Sequence, residues 1–193
     1  MKKLKLFLIF VMALSVSVLL CSCQPKITVD EVKAALPDLV EASKPLNEIY
    51  FGEGFKEADI ASDLNSYFYC DTEKSGLNSI LQIKEATEKV FTAEYAEVLY
   101  ETAFLGASTD ISAEGARFIE GEMGLMQKKN DNAYTLPDRV FDYDSIEIIK
   151  GGRKRVIISI STTASGKTEV IEMVVSRYGD EGNFTYRLDS PTY

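Results

Sequence analysis

Apolar residues recur at helical spacing through the first half of the chain and alternate with polar residues through the second half. Over 28–51 this spacing predicts a long helix, with Thr28 as its N-cap and Glu31 completing a capping box. Pro37 and Pro45 lie inside the pattern, and each proline removes a backbone donor and crowds the preceding turn. We therefore expect a helix that is kinked or divided into two pieces.

Three shorter segments of the first half also have helical spacing. Residues 57–64 predict a short helix before an aromatic run, and 79–91 predict a longer amphipathic helix. Thr92 is placed to cap a further helix, which we expect Gly106 to end before a loop over 107–115. The first half of the chain is therefore predicted to be mainly helical.

From about residue 116 onward the apolar residues change to a period of two, which is typical of strands. Gly151-Gly152 and Ser165-Gly166 interrupt this pattern at positions suited to tight hairpin turns. The predicted strands are a hairpin over 116–129 and a meander over 141–150, 155–163, 169–178 and 184–189. Helices followed by an antiparallel sheet with one apolar face predict an α+β fold, in which the helices cover that face.

The N-terminus has the pattern of a bacterial export signal. Residues 1–22 contain three lysines before an uncharged stretch over 6–20, which is shorter than the ~20 residues needed to span a bilayer. The stretch ends at Leu20 and is followed by Cys23, with Ser22 directly before the cysteine. This order resembles the lipobox of bacterial lipoproteins, in which the cysteine becomes the lipidated N-terminus.

The lipobox resemblance implies lipidation of Cys23 and a location on the outer face of the bacterial cytoplasmic membrane. Two acyl chains on one cysteine give stable anchoring, whereas a single chain is marginal. We accordingly divide the chain into a signal peptide over 1–22, a lipidated cysteine with a short linker over 23–27, and a single domain over 28–193. An ordinary cleaved signal and an uncleaved membrane anchor are the alternatives to lipidation.

The chain is acidic, with 21 basic and 30 acidic residues and a formal net charge of −9. Cleavage before Cys23 removes three lysines and changes this charge to −12. Such a field excludes nucleic acid as a partner and repels anionic lipid, so we expect the lipid on Cys23 to hold the protein at the membrane. All of the excess negative charge lies within 24–124, where an acidic face toward a cationic partner is the alternative to a solvated surface.

The residue types present exclude several classes of chemistry. The chain contains no histidine, which rules out Ser-His-Asp and Cys-His catalysis and histidine-ligated zinc. Once Cys21 leaves with the signal and Cys23 is lipidated, only Cys70 remains, so the domain has no pair of thiols for a disulfide. Cys70 lies in the aromatic run, where a buried and unreactive thiol is expected.

Two short patterns suggest ligand sites but are better explained by strand ends. Ser165-Gly166-Lys167-Thr168 ends like a phosphate-binding loop, but the earlier glycine and the following helix of that motif are missing. Arg153-Lys154-Arg155, with Lys150 and Lys167, is predicted to form a basic cluster at hairpin ends. Solubilising charge is favoured there over contact with lipid headgroups or an acidic partner.

Acidic residues cluster where the predicted meander begins, at Asp138, Asp142 and Asp144. The segment lacks the turn glycine and the number of oxygen ligands that calcium requires, so no metal site is predicted. Asp142 beside Tyr143 leaves open a carboxylate–tyrosine pair for acid–base chemistry. Surface acids above an aromatic core are favoured, so no catalytic, metal-binding or cofactor-binding residue is assigned and no cofactor is expected.

Four stretches carry a resemblance to known proteins: the lipobox around Cys23 and residues 90–96, 117–120 and 184–193. They resemble small extracytoplasmic lipoproteins of Gram-positive, clostridial type. The order of helices and strands is similar to the NTF2-like cone fold, in which N-terminal helices pack on the concave face of a curved antiparallel sheet. That resemblance implies a pocket inside the cone and supplies no substrate.

The expected function is a non-catalytic binding module of the cell envelope, with a small ligand in the cone pocket or a protein partner. An inhibitor of a cell-wall hydrolase acting through the acidic helical face, and a pocket enzyme using Asp and Tyr groups, are the alternatives. A cone filled by apolar side chains favours the binding module, and a buried Asp facing a Tyr favours the enzyme. A homodimer is also predicted through the polar face of the sheet, at Ser159, Ser161, Thr163, Thr185 and Arg187.

Overall fold

A computed structural model describes residues 24–104, 115–129 and 134–193 of the chain. The helices in these ranges are α1 (Val29–Tyr50), α2 (Ile80–Val90) and α3 (Ala93–Phe104). The strands are β1 (Lys56–Glu57), β2 (Tyr67–Asp71), β3 (Phe118–Gly121), β4 (Gly124–Lys128), β5 (Arg139–Lys150), β6 (Arg155–Ala164), β7 (Lys167–Tyr178) and β8 (Thr185–Leu188). Outside the described residues lie the predicted signal peptide, Cys23, Gly106 and all of the predicted loop except its last residue.

Helix α1 begins as predicted. The Glu31 N–H donates to the Thr28 hydroxyl at 3.3 Å, and the Thr28 N–H donates to the Glu31 carboxylate at 2.7 Å. The helix is one element with Pro37 and Pro45 inside it, so the two-piece alternative is wrong. Pro45 lies on the exposed side of the helix, where the carbonyl that lacks an N–H partner because of the proline can bond to water. The apolar stripe on the opposite side packs into the core and stabilises the helix.

The two predicted helices that follow are confirmed as α2 and α3. At the start of α3 the Tyr95 N–H donates to the Thr92 hydroxyl at 3.2 Å, so Thr92 is the cap that the sequence predicts. The same hydroxyl donates to the Asp189 carboxylate at 2.8 Å, and the Thr92 N–H donates to the Leu188 carbonyl at 2.8 Å. The junction of the helices is therefore joined to the end of the last strand.

The first sheet is antiparallel and has the strand order β1-β2-β4-β3. Its β3–β4 hairpin confirms the strand pair predicted over 116–129. The short helix predicted over 57–64 is wrong, because β1 pairs with β2 and the Ala58 N–H donates to the Tyr69 carbonyl at 2.8 Å. Pairing with a distant strand takes the backbone groups that a helix would have used.

The second sheet is an antiparallel meander with the order β5-β6-β7-β8, as predicted. Ser165 and Gly166 have φ values of 50° and 75°, which suit the two-residue turn between β6 and β7. The inner face of the sheet is apolar, and it packs on the α1 residues Val32, Leu36 and Val40. The buried residues of this face are Ile146, Val156, Ile158, Ile160, Met173, Val175 and Leu188.

The described residues thus have a mixed α+β fold with three helices and two antiparallel sheets, which confirms the predicted fold class at that level. The larger apolar core lies between the helices and the second sheet and reaches Phe118 and Leu125 of the first sheet. A smaller apolar cluster lies around the first sheet and includes Tyr67, Ile119 and Met126. Candidate sites must therefore be sought at the edges of the packed interior.

Candidate functional site

A surface groove of ≈ 290 Å³, here called the α1 groove, lies along the second half of α1. The segment leading into β5 and the C-terminal residues complete its walls. Its apolar lining is formed by Val40, Pro45, Leu136, Pro137 and Phe141. The volume is close to the lower limit of ~300 Å³ for small-molecule sites.

The C-terminal residues form a fixed wall of the α1 groove. The hydroxyl oxygens of Thr192 and Ser43 lie 2.6 Å apart, and the Asn47 side-chain amide donates to the Thr192 hydroxyl at 2.7 Å. All three side chains are buried. The Tyr193 ring follows, with its centroid 4.6 Å from that of Phe51. The sequence did not predict this contact, although Ser43 and Asn47 on the apolar stripe of α1 were a signal for a buried polar partner.

The charged residues of the α1 groove have both signs. They are Lys44, Glu48, Asp138 and Arg139. Lys44 Nζ lies 2.6 Å from the Glu41 carboxylate, and this hydrogen bond raises the pKa of the Lys44 amine. Arg139 Nη1 lies 2.6 Å from the Glu169 carboxylate. The groove can therefore contact an apolar group through its apolar lining, and a charged group of either sign through these four residues.

Asp142 and Tyr143, the predicted carboxylate–tyrosine pair, do not face each other. Asp142 is exposed, and its carboxylate accepts the Asp144 N–H at 3.1 Å. Tyr143 is half-buried in the apolar core, and this burial raises the pKa of its hydroxyl. Neighbouring residues of a strand point to opposite faces of the sheet, so no shared pocket holds this pair.

The interior between α1 and the second sheet is filled by apolar side chains. Ile158, Ile160 and Met173 are each 0% exposed there. Among the described residues, no Asp or Glu side chain is buried. The buried carboxylate facing a tyrosine that the enzyme alternative requires is therefore missing from the described part of the chain.

A polar cluster that the sequence did not predict lies where α1 meets β7. Arg177 Nη1 lies 3.3 Å from the Glu31 carboxylate, and the Tyr186 hydroxyl donates to the same carboxylate at 3.0 Å. Arg177 Nη2 donates to the Pro25 carbonyl at 2.6 Å, and its guanidinium carbon lies 4.0 Å from the Phe184 ring centroid. The sequence did contain a signal for a buried arginine here. Arg177 comes two residues after the inward-facing Val175, and residues two apart on a strand face the same side of the sheet.

The N-terminal residues are held on the same end of the second sheet. The Ile27 N–H donates to the Gly152 carbonyl at 3.0 Å, and the Gln24 side-chain amide reaches the Gly179 carbonyl at 3.5 Å. Gln24 also lines a second open groove, of ≈ 670 Å³, here called the Gln24 groove. Its charged lining includes Glu94, Lys154, Arg155, Asp180 and Asp189.

The predicted basic cluster is only partly correct. Lys150, Arg153, Lys154 and Arg155 lie together around the turn between β5 and β6. Lys167 begins β7 at the opposite end of the sheet, because the β6–β7 turn follows a full strand, so its inclusion was wrong. Ser165-Gly166-Lys167-Thr168 is that turn and its first strand residues, which confirms the hairpin interpretation.

Two further predictions concern a thiol and the outer face of the sheet. Cys70 is a buried free cysteine, and burial raises the pKa of its thiol to about 12. This pKa keeps the thiol protonated and unreactive at neutral pH. On the outer face, Ser161 of β6 pairs with the exposed Val170 of β7, and Thr163 pairs with Thr168. The homodimer through this face stays a prediction.

The described ranges contain no group of three or more Cys, Asp or Glu side chains placed to hold a metal ion. None of the helices in those ranges combines the length and the apolar character needed to cross a bilayer. Compared with known protein families and with curated proteins, the chain has no match. The two grooves and the N-terminal pattern are therefore the features that bear on its function.

Proposed function

We propose that this chain is a lipoprotein anchored through Cys23 to the outer face of the bacterial cytoplasmic membrane, and that its domain is a non-catalytic binding module. The basic start, the uncharged stretch and the lipobox support the anchor. Residues 24–27 are held against the domain, because Gln24 reaches the Gly179 carbonyl and Ile27 is buried. A lipid on Cys23 would then be attached to the folded domain with almost no free linker.

The domain is proposed to be an NTF2-like cone. This assignment is supported by helices that precede a four-stranded meander, and by the packing of α1 on the inner face of that meander. The second sheet then forms the wall of the cone, and the first sheet is an addition beside α2 and α3. Because apolar side chains fill the interior, we assign ligand contacts to the α1 groove at its edge.

The α1 groove is the observation that carries the binding role. Its apolar lining around Phe141 is accompanied by two positively charged residues, Lys44 and Arg139, and two negatively charged ones, Glu48 and Asp138. Apolar pockets with a few oriented polar groups are typical of ligand sites. We propose that the groove takes a small amphipathic ligand, or one apolar side chain of a protein partner with its flanking charges.

The alternatives have less support. The separation of Asp142 from Tyr143 weighs against an enzyme that uses this pair. Inhibition of a cell-wall hydrolase would use the exposed acidic residues of α2 and α3, such as Glu85, Glu97 and Glu101. These exposed carboxylates can equally be a solvated surface, so the inhibitor function stays an alternative.

The anchor predicts a specific lipid label. In cells fed labelled palmitate, we expect the protein to carry the label, because the lipobox places acyl chains on Cys23. Cys23→Ala should show no label above background, and Cys21→Ala is the matched control that should remain labelled. Intact mass should place the N-terminus of the labelled protein at Cys23. Equal labelling of Cys23→Ala, or an unmodified N-terminus elsewhere, would contradict the anchor.

The binding role predicts a position-specific cross-link. A benzophenone amino acid at Leu136, in the α1 groove, should give an ultraviolet-dependent adduct in intact cells, because the ligand lies against this wall. Leu81 is the control position, since it is 64% exposed and lies on α2 outside the groove. Mass spectrometry separates a protein adduct from a small-molecule adduct. Equal adducts at both positions, or none at Leu136, would argue against binding in this groove.

A further inference from the structure

The position of Gln24 determines which end of the domain meets the membrane. Gln24 is hydrogen-bonded to the turn between β7 and β8, and Pro25 is held by Arg177. The residue that precedes Gln24 in the sequence is Cys23. If Cys23 carries the lipid, the Gln24 groove is brought to the layer of phospholipid headgroups.

The Gln24 groove has the charges that a zwitterionic headgroup would need. Lys154 and Arg155 supply positive charge from the β5–β6 hairpin. Arg177 also lines the groove, but its guanidinium is bound to Glu31 and to the Pro25 carbonyl. Glu94, from the first turn of α3, and Asp180, from the β7–β8 turn, supply negative charge. Asp189 also lies in the groove but is occupied, because it accepts Arg155 at 2.7 Å and the Thr92 hydroxyl at 2.8 Å.

Three of these charges have no salt-bridge partner among the described residues: Lys154, Glu94 and Asp180. Arg155 is fixed at one side by Asp189, yet its side chain remains 60% exposed. Opposite charges that line one groove without neutralising each other can pair with a ligand that carries both signs. A purely anionic ligand would meet repulsion from Glu94 and Asp180.

We propose that the Gln24 groove binds the headgroup of a phosphatidylethanolamine molecule of the anchoring membrane. Lys154 and Arg155 hold the phosphate, and Glu94 and Asp180 accept hydrogen bonds from the ammonium group. This assignment rests on the proposed anchor at Cys23, which supplies the lipid surface. The choline headgroup fits less well, because its trimethylammonium group has no N–H to donate to a carboxylate.

The test uses short-chain soluble phospholipids, so that binding does not depend on the anchor. The purified full-length protein in neutral detergent is mixed with equal amounts of dihexanoyl phosphatidylethanolamine, phosphatidylglycerol and phosphatidylcholine, and adducts are counted by native mass spectrometry. We expect the phosphatidylethanolamine adduct to be the most abundant of the three. Lys154→Gln and Glu94→Gln should each lower it about tenfold, as expected for one lost charge-assisted hydrogen bond.

Matched controls are available for both substitutions. Lys167→Gln removes a lysine at the opposite end of the second sheet, and Glu97→Gln removes an exposed carboxylate from the same helix as Glu94. Neither residue lines the Gln24 groove, so both variants should keep the wild-type adduct. Loss of the adduct in a control variant would show that net charge, not the groove, selects the lipid.

Three outcomes would overturn the proposal. If the phosphatidylglycerol adduct dominates, and is lost in Lys154→Gln but kept in Glu94→Gln, the groove is a site for anions only. Complete displacement by an equal amount of inorganic phosphate identifies a phosphate site with no headgroup preference. The absence of any adduct removes the site. The intact mass of the same sample reports acylation of Cys23 separately, so failure of the anchor and failure of the headgroup site are distinguishable.

Discussion

Glu31→Gln is expected to lower the free energy of unfolding by about 3 kcal/mol, because it leaves a buried guanidinium without a counter-charge. The Arg177 side chain is 1% exposed and its Nη1 lies 3.3 Å from the Glu31 carboxylate. Glutamine can still complete the capping box with Thr28 and accept from Tyr186, so the substitution isolates the charge. Urea denaturation followed by circular dichroism measures the loss.

Two further variants separate the ion pair from a general effect of removing a carboxylate. Glu41→Gln breaks an exposed pair with Lys44 on the same helix, and should cost much less than Glu31→Gln because solvent screens that pair. The double variant Glu31→Gln with Arg177→Met removes both charges and should recover much of the loss, because no unpaired charge stays buried. Equal losses for Glu31→Gln and Glu41→Gln would show that the Arg177 pair does not hold this region.

The Glu31 carboxyl group gives an acid-dependent contribution to stability, mainly through its cap with Thr28. The hydrogen bond from the Thr28 N–H, followed by those from the Thr28 and Tyr186 hydroxyls and the charge of Arg177, holds the pKa of Glu31 below its ordinary value of 4.5. A lowered carboxyl pKa stabilises the folded state above the ordinary value, and this stabilisation disappears as the pH falls through the folded-state pKa. In Glu31→Gln this part of the pH dependence should be absent.

Phe118→Ala is expected to lower the free energy of unfolding by about 4 kcal/mol, through lost apolar burial and the cavity that remains. Phe118 is 0% exposed and belongs to β3, yet it is part of the larger core. Its ring centroid lies 5.8 Å from that of Phe55 and 6.3 Å from that of Phe104. The same urea titration measures the effect, and the unfolding transition should remain cooperative.

Phe118→Leu is the matched control, because it keeps most of the volume and should cost less than about 1.5 kcal/mol. Phe118 connects the first sheet to α3, so the difference between the two variants reports how firmly that sheet is attached. A loss below about 1 kcal/mol for Phe118→Ala would mean that the first sheet contributes little to the stability of the larger core.

Much of the fold could be predicted because its signals are local. The capping residues Thr28 and Thr92, the period of two over β5–β8 and the turn at Ser165-Gly166 each depend on neighbours within a few residues. Such signals act before any long-range contact forms. The predictions failed where a distant partner decided the outcome, as when pairing with β2 made residues 56–57 a strand.

The candidate sites could not be predicted because they join segments that are far apart in the chain. Thr192, which lines the α1 groove, and Ser43, which holds it there, are 149 residues apart. Arg177 and Glu31 are 146 residues apart. The sequence pattern predicted a role for Glu31 in the capping box with Thr28, and no contact with Arg177. A period of two indicates that Arg177 faces inward, but it does not say which side chain meets it there.

By itself, the sequence determined the helices followed by a meander and the faces of the strands, because each is encoded within one continuous stretch, and the lipidation of Cys23 stays a prediction. Only the tertiary structure decided that α1 stays unbroken through Pro37 and Pro45, and that the strands divide into two sheets. It also decided that the interior is filled, and that the two grooves form at its edges. These outcomes depend on which surfaces pack against each other, and packing is a property of the whole chain.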